Sequence, residues 1–349
     1  MPVESPAVTA EPVRLHYNEN PLGASPQAVA AVEAELRSVN RYPDPAHTDL
    51  IGAIARHAVV GPDRVAVGNG VDEVILMLAL AWRADPRPAA VSARTFQSYA
   101  RSLRAAGVPY VAQPLRGYDL DADRMAESFA DGVGLAFVCN PLNPTGTVLS
   151  AASVRSLCKA ARRYDAVVVF DEAYGEYVPP GEFESALPHA ASGHNVCVLR
   201  TFSKAYGLGA LRVGYLVGDP AVVARVTALQ GAFPFHVNRF AQAAAVRALA
   251  DQEFVELSRR ENDSTRAVLC AGLDALGVAY VPSRTNFVLI RLPGVASRVA
   301  VALRALGVLV RDTADLGLAD HLRVSVGRVE QVRAFLRDLE TILRGVGER

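Results

Sequence analysis

A lysine surrounded by small and hydroxylated side chains stands in the segment TFSKAYGLGALRVGY, residues 201–215. A lysine held in an apolar pocket loses its proton more easily than an exposed one, and Lys204 would then be a nucleophile toward carbonyl groups. Thr201, Ser203 and Arg212 add hydroxyl donors and a fixed positive charge, a combination suited to phosphate. A lone lysine is more often a surface residue, and Arg212 suits a structural ion pair equally well. The segment as a whole nevertheless favours covalent lysine chemistry beside an anion site.

A second pattern typical of anion binding is GNGVDE, residues 68–73. Gly68 and Gly70 allow a tight turn, and the pattern that follows is helical. The backbone amides of Val71 and Asp72 would then point from a helix N-terminus toward an anion. The third glycine of a dinucleotide-binding fingerprint is missing, and an ordinary capped turn is the alternative interpretation.

Two further polar residues lie at the ends of apolar runs. Asp171 ends the run VVVF, where a carboxylate is either an acceptor for loop amides or the counter-ion of a buried cation. Glu172 follows directly, but neighbouring residues of a strand point to opposite faces, which argues against joint acid–base work on one bond. Asn143, in NPLNPTG, is either a ligand-binding amide or part of an Asn-Pro turn.

The elements that position these residues are predicted from their apolar patterns. Short β-branched runs predict buried strands at 64–70, 134–141, 166–174, 195–204 and 212–219. The amphipathic stretch 153–165 predicts an intervening helix, so the fold class is α/β, with a mostly parallel sheet flanked by helices. Ligands of such sheets bind beyond the carboxyl ends of the strands, so we expect the polar clusters to converge on one crevice.

The length of 349 residues predicts more than one hydrophobic core. The pattern changes near residue 236, where a long helical tract, 238–277, leads to strand patterns at 286–293 and 321–327. We therefore expect an N-terminal arm that belongs to the small domain (1–40), a large domain (41–236), and a bridging helix with a C-terminal small α+β domain (237–349).

The composition argues against several classes of protein. Basic and acidic residues are equal at 36 each, so no nucleic-acid or membrane partner is expected. The longest apolar run, 74–82, is too short to span a bilayer, and residues 1–13 lack a secretory signal pattern. Four cysteines without CxxC spacing predict no metal site and a reducing, cytoplasmic location.

A nucleophilic lysine, an acid for a pyridinium nitrogen and a phosphate cup are together the requirements of pyridoxal 5'-phosphate. The chain resembles the fold-type I aminotransferases, and among them the histidinol-phosphate aminotransferase-like branch, from about Leu15 to the C-terminal helix. The motifs that carry this resemblance are LHYNENPLG, NRYPD, GNGVDE, TFQSY, NPLNPTG, DEAY, RTFSKAYGLGALRVGY, NFV and LRVSVG.

The resemblance implies a role for each matching residue. Lys204 would form the Schiff base and serve as the base that moves the substrate's Cα proton, and Asp171 would pair with the pyridinium nitrogen. Asn143 and Tyr174 would bond to the ring's phenolic oxygen, while Phe96 would stack on the ring.

The same resemblance assigns the two anionic ends of the site. The cofactor phosphate would be held by Val71, Asp72, Thr201, Ser203 and Arg212. Tyr42 would reach the phosphate of the neighbouring subunit, which implies a homodimer with shared sites. The substrate would be held by Arg323, Asn20, Asn286 and Arg311.

The expected reaction is a ping-pong transfer of an amino group from a donor to a 2-oxo acid. The chain lacks the proline-tyrosine motif that typically precedes NEN in this branch, which leaves the donor open. The alternatives are histidinol phosphate, an aromatic or specialised-metabolite amino acid, and a phosphothreonine decarboxylation in the same branch. A non-enzymatic, ligand-sensing domain is disfavoured by the zero net charge and the filled catalytic positions.

Overall fold

The computed structural model describes residues 11–193 and 195–347. The chain forms a seven-stranded sheet, a five-stranded sheet and a small two-stranded sheet. The strands are β1 Val13–Leu15, β2 Val65–Gly68, β3 Ala89–Ser92, β4 Tyr110–Gln113, β5 Leu115–Arg116, β6 Asp119–Leu120, β7 Leu135–Cys139, β8 Val167–Asp171, β9 Val196–Thr201, β10 Gly214–Gly218, β11 Tyr280–Val281, β12 Phe287–Arg291, β13 Val308–Asp312 and β14 His321–Ser325. The helices are α1 Pro26–Glu35, α2 Thr48–Ala58, α3 Val71–Ala81, α4 Ser98–Ala106, α5 Ala122–Ala130, α6 Ala151–Arg163, α7 Leu187–Ser192, α8 Pro220–Gln230, α9 Arg239–Ala250, α10 Gln252–Ala275, α11 Ala296–Ala305 and α12 Val329–Gly347.

The larger sheet has the strand order β2-β10-β9-β8-β7-β3-β4. Its pairs are parallel except those of β10, which runs antiparallel to both β2 and β9. Strands β7 and β8 are buried along their whole length, because helices cover both faces of the sheet and only apolar residues are stable there. The predicted α/β class and mostly parallel sheet are confirmed.

The second sheet has the order β1-β13-β14-β12-β11 and is antiparallel apart from the β1–β13 pair. Strand β1 comes from the predicted N-terminal arm, so the two ends of the chain meet in this sheet. Helices α10, α11 and α12 bury its apolar side chains in a separate core. The domain limits at residues 41 and 237 stay a prediction, and the first ten residues of the arm lie outside the described residues.

The tract 238–277 is not one bridging helix but two, α9 and α10. The interruption lies at Asp251, whose backbone has φ −95° and ψ 68°, and whose carboxylate accepts a hydrogen bond from the amide of Phe254. Aspartate favours this capping conformation over the helix interior because its short side chain satisfies a free amide of the next helix. The apolar periodicity continues across the break and conceals it in the sequence.

Within residues 11–193 and 195–347, no helix is long and apolar enough to cross a bilayer. The same residues contain no group of three or more His, Cys, Asp or Glu side chains arranged to hold a metal ion.

Candidate active site

The carboxyl ends of β7, β8 and β9 open into a cavity of about 810 Å³. Their last residues, Cys139, Asp171 and Thr201, all line it, because the three strands are parallel and end at the same edge of the sheet. The predicted site residues that also line this cavity are Val71, Asp72, Phe96, Asn143, Tyr174, Ser203, Lys204, Arg212, Arg311 and Arg323. The structure thus brings twelve of the fifteen predicted residues to one cavity, counting Asp171 and Thr201 with these ten.

Lys204 lies half-buried on the cavity wall, directly after β9. Its Nζ donates to the carbonyl oxygens of Tyr17 at 3.0 Å and Asn18 at 3.3 Å. Burial, together with the nearby guanidinium groups of Arg323 and Arg212, lowers the pKa of Lys204 from 10.5 to about 8. The amine therefore becomes a neutral nucleophile and base at a pH where ordinary lysines stay protonated.

Asp171 is buried at the floor of the cavity, with 3% of its surface exposed. The Tyr99 hydroxyl donates to its Oδ2 at 2.6 Å, and the Ala173 amide donates to its Oδ1 at 3.1 Å. Burial raises the pKa of Asp171 to about 6 despite these two hydrogen bonds. A buried carboxylate without a cationic partner is costly, so the site fits a ligand that brings a positive charge to this oxygen pair.

Glu172 points away from the cavity, as the alternation of strand side chains predicts. Its Oε2 pairs with Arg200 at 2.8 Å and accepts from the Ser185 hydroxyl at 2.6 Å. Arg200 also pairs with Glu176 at 3.4 Å. This buried ion network belongs to the far side of the sheet, and it leaves Asp171 as the acid that faces the cavity from β8.

The anion end of the cavity is formed by the start of α3 and the loop after β9. Gly70 has φ 79°, a left-handed conformation that favours glycine, and the Arg212 guanidinium lies close against it. Arg212 contacts Asp72 at 2.9 Å and the Ser203 hydroxyl at 3.4 Å, while the Thr201 hydroxyl accepts from the Ser203 amide. The first amides of α3 have no intrahelical partner, and the first two residues of this helix, Val71 and Asp72, line the cavity. Amides, hydroxyls and a guanidinium group together suit a phosphate.

Two further polar groups of the cavity, Tyr174 and Asn143, each accept a hydrogen bond from another residue of its lining. The Tyr174 hydroxyl accepts from Nδ2 of Asn18 at 2.9 Å, and burial raises its pKa to about 12. The Asn143 Oδ1 accepts from Nη1 of Arg323 at 2.7 Å. Both groups line the cavity, in the region where the resemblance places the cofactor's phenolic oxygen.

Phe96 is half-buried and lines the cavity. Its ring packs edge-on against Tyr99 at 5.6 Å, and Tyr99 in turn stacks on Phe137 at 5.1 Å, which fixes the orientation of Phe96. Thr95, the preceding residue, is buried and also lines the cavity, next to the Cys139 thiol.

The substrate end of the cavity contains two neighbouring arginines of the second sheet. Arg323 on β14 and Arg311 on β13 are direct partners in the strand register. Arg323 is 8% exposed, and its Nη2 donates to the His16 carbonyl oxygen at 2.8 Å. Arg311 is more exposed and pairs with Asp315 through both carboxylate oxygens, at 2.7 and 2.9 Å.

Three predicted residues lie outside the cavity lining. Tyr42 is 77% exposed and stacks on Phe235 at 4.6 Å. Asn20 donates to the carbonyl oxygen of Ala205, next to Lys204, and to a serine on α10. Asn286 is buried and donates to the Asn18 carbonyl at 3.0 Å. Their roles in binding stay predictions, and for the two asparagines these contacts fix the N-terminal segment.

The sequence reasoning missed several residues that shape the cavity. Asn18 joins both sheets, because its amide group contacts Tyr174 and its Oδ1 accepts from the Ser325 hydroxyl. Tyr99 belongs to the motif TFQSY, three residues after Phe96, and lies in the first turn of α4. An unused signal is that the chain contains only two lysines, Lys204 and Lys159.

The comparisons with known proteins agree with this geometry. Residues 10–339 match the family model described as aminotransferase class I and II. The chain is 39% identical over 331 residues to a Pseudomonas aeruginosa protein named histidinol-phosphate aminotransferase 2, covering 95% of this chain and 89% of that one. It is 40% identical to a histidinol-phosphate aminotransferase from Symbiobacterium thermophilum, covering 95% of this chain and 90% of that one.

The fold also matches those of solved aminotransferase structures. The histidinol-phosphate aminotransferase from Sinorhizobium meliloti, solved in complex with pyridoxal 5'-phosphate, superposes with a TM-score of 0.88 at 26% identity, covering 95% of this chain and 91% of that one. The predicted fold-type I resemblance is therefore confirmed. The chain belongs to the aminotransferase class I and II family, and it is an enzyme that transfers amino groups with pyridoxal 5'-phosphate.

Proposed function

We propose that the enzyme takes its amino group from a phosphorylated amino alcohol of the histidinol phosphate type and passes it to a 2-oxo acid. The observation that carries this proposal is the pair of register partners, Arg311 and Arg323, facing one cavity. A phosphate ester has three free oxygens and can bind two neighbouring guanidinium groups at once. A carboxylate needs only one of them. The names of the relatives at 39% and 40% identity support the same donor.

The charged and hydrogen-bonding groups of the cavity are those that the cofactor requires, and we propose how its residues hold it. Asp171 would receive the ring nitrogen, Tyr174 and Asn143 the phenolic oxygen, and Phe96 the ring face. The phosphate would lie at Arg212 and its neighbours Val71, Asp72, Thr201 and Ser203. When bound, pyridoxal 5'-phosphate supplies an electron sink that stabilises negative charge at the substrate's Cα.

The chain's own groups then perform the proton transfer and the orientation of the substrate. Lys204 removes the Cα proton of the substrate, because its pKa of about 8 leaves a useful fraction of neutral amine near neutral pH. The Tyr17 and Asn18 carbonyls orient the amine through their hydrogen bonds. Arg323 fixes the substrate's anionic group, so that the Cα–H bond is presented to Lys204.

The proposal includes a homodimer. Tyr42 is exposed and stacked on Phe235, which is itself 42% exposed, and Phe233 adds a ring that is 61% exposed. Aromatic rings that a single chain leaves in water favour a surface that a second copy covers. We also place the enzyme in the cytoplasm, since its four cysteines are free thiols.

A second donor class is favoured by one observation. Because Asp315 already occupies Arg311, Arg323 is the arginine left for a substrate anion, and one arginine is enough for the carboxylate of an ordinary amino acid.

A matched panel of donors decides between the two classes. Histidinol phosphate, histidinol and histidine share the imidazole and differ in the anionic group, so each is assayed with 2-oxoglutarate as acceptor. We expect kcat/KM for histidinol phosphate to exceed that for histidinol by about a hundredfold or more, since histidinol leaves the arginines without an anion. If histidine or phenylalanine reacts tenfold faster than histidinol phosphate, the donor is an ordinary amino acid.

A further inference from the structure

A chain of side-chain contacts spans the substrate end of the cavity. Arg101 on α4 donates to the Oε1 of Gln97. The Nε2 of Gln97 donates to Asp315 at 3.1 Å, and Asp315 accepts from Arg311 through both oxygens. Gln97 precedes α4 beside the larger sheet, whereas Asp315 follows β13 of the second sheet. Asp315 is not itself among the residues that line the cavity, but its carboxylate pairs with the guanidinium of Arg311, which does line it.

The two neighbouring arginines differ in what neutralises them. The oxygens that accept from Arg323 are neutral, the side-chain carbonyl of Asn143 and the backbone carbonyl of His16, so Arg323 keeps its full positive charge. The oxygens that accept from Arg311 belong to a carboxylate. Partial burial alone would raise the pKa of Asp315, but the hydrogen bonds and charge of Arg311 outweigh it and lower the pKa, so Asp315 is ionised at neutral pH.

We propose that Asp315 is a specificity-determining residue that competes with the substrate's anionic group for Arg311. A phosphate dianion displaces Asp315 from Arg311 more readily than a carboxylate does. The side chains of Arg311 and Asp315 are 36% and 49% exposed. An exposed ion pair of this kind changes an equilibrium constant by about two- to fivefold. A dianion with three oxygens can replace Asp315 and still contact Arg323. A carboxylate, with one charge and two oxygens, is satisfied by Arg323 and gains little from displacing an equal group.

This inference rests on the proposed phosphate donor, and it is tested by binding as well as by turnover. In the holoenzyme the cofactor fills its own phosphate cup, so added inorganic phosphate and acetate report on the substrate's anion site. Dissociation constants of both anions are measured by calorimetry at pH 7.5 for the wild type and for Asp315→Asn. The matched control is Asp123→Asn, which removes an equal charge from an exposed arginine pair outside the cavity.

We expect Asp315→Asn to tighten phosphate binding about threefold and acetate binding by at least as much, with less than a twofold change in the control. Arg311→Gln in the Asp315→Asn background should abolish the gain, because the effect acts through that guanidinium. The ratio of kcat/KM for histidinol phosphate to that for histidine should fall by the factor by which the gain for acetate exceeds the gain for phosphate. Asp315→Ala serves as the second variant if the asparagine protein is not recovered.

Unchanged or weaker anion binding in both Asp315 variants overturns the inference, and so does a gain that survives Arg311→Gln. The outcome for the donor is separate. Should histidinol phosphate not react with the wild type while Asp315→Asn still tightens both anions, the inference stands and the proposed donor is wrong.

Discussion

Asp171→Asn is expected to stabilise the cofactor-free protein while it abolishes transamination. The carboxylate of Asp171 is buried without a cation, and its pKa of about 6 exceeds the ordinary 3.8 by about two units. Each unit corresponds to about 1.4 kcal/mol, so ionised Asp171 lowers the free energy of unfolding by about 3 kcal/mol. Asparagine removes the charge, but it has one acceptor oxygen and cannot accept the hydrogen bonds of both the Tyr99 hydroxyl and the Ala173 amide. This loss costs about 1 kcal/mol. The net gain is about 2 kcal/mol.

The sign of this effect depends on pH. Because the folded protein holds the Asp171 proton more tightly than the unfolded chain, this group's contribution to stability falls as pH rises from about 3.8 to about 6. The penalty is fully present above pH 6 and absent below pH 3.8. The advantage of Asp171→Asn should therefore appear at pH 7.5 and vanish, or reverse slightly, near pH 4.

Urea unfolding of the cofactor-free proteins at both pH values measures this difference, and other titrating groups cancel between wild type and variant. Tyr99→Phe is the control, since it keeps the carboxylate and removes the hydrogen bond to Oδ2, so it should lower stability most at pH 7.5. With cofactor added, kcat for Asp171→Asn should fall by several orders of magnitude. An asparagine variant that is less stable than wild type by the same amount at both pH values would refute the buried-charge argument.

Three further outcomes are expected. The amine of Lys204 in the cofactor-free protein should show half-maximal reactivity toward an acylating reagent near pH 8. Peptide mass spectrometry measures this, with the exposed Lys159 as the internal reference. A midpoint near 10 for Lys204 would contradict its depressed pKa. Arg323→Lys should reduce kcat/KM for donor and acceptor, with a loss of about 2 to 4 kcal/mol of transition-state stabilisation, because lysine cannot form a bidentate contact. The visible spectrum of the holoenzyme should not change. Mixing Lys204→Ala chains with an inactive Tyr42 variant should restore activity if sites are shared between subunits, whereas a fully active monomer in light scattering would exclude sharing.

The strands that carry the chemistry could be predicted because each is a short, fully apolar run that ends in polar residues. That pattern follows from burial on both faces, and it located Asp171 and Lys204 at strand ends. Strands β3 and β4, at one side of the sheet, were not predicted; two of the four residues of β3 are alanines, which favour strands weakly. The break at Asp251 escaped because a helix cap needs only one polar residue in an otherwise periodic tract.

The state of the substrate arginines could not be predicted either. Arg311 was identified as an anion ligand from its type and place, and the sequence places Asp315 four residues later. Whether Arg311 contacts a substrate or Asp315 depends on where the chain turns after β13. The periodicity of apolar residues does not specify that turn. Asn18 is a similar case, since its partners Tyr174 and Ser325 are brought together only by the two sheets.

The position of Asn18 has a consequence for how the protein matures during synthesis. Its backbone amide and side chain bond to Ser325, which is 307 residues later in the chain. The segment that holds the Lys204 amine is therefore among the first parts to leave the ribosome, but its anchor is among the last. Contacts of such sequence separation form late, since the intervening loop must close first. Nascent chains that end before β14 would contain the carbonyls that orient the amine but not the serine that anchors them, so tight retention of the coenzyme would mark the completed polypeptide.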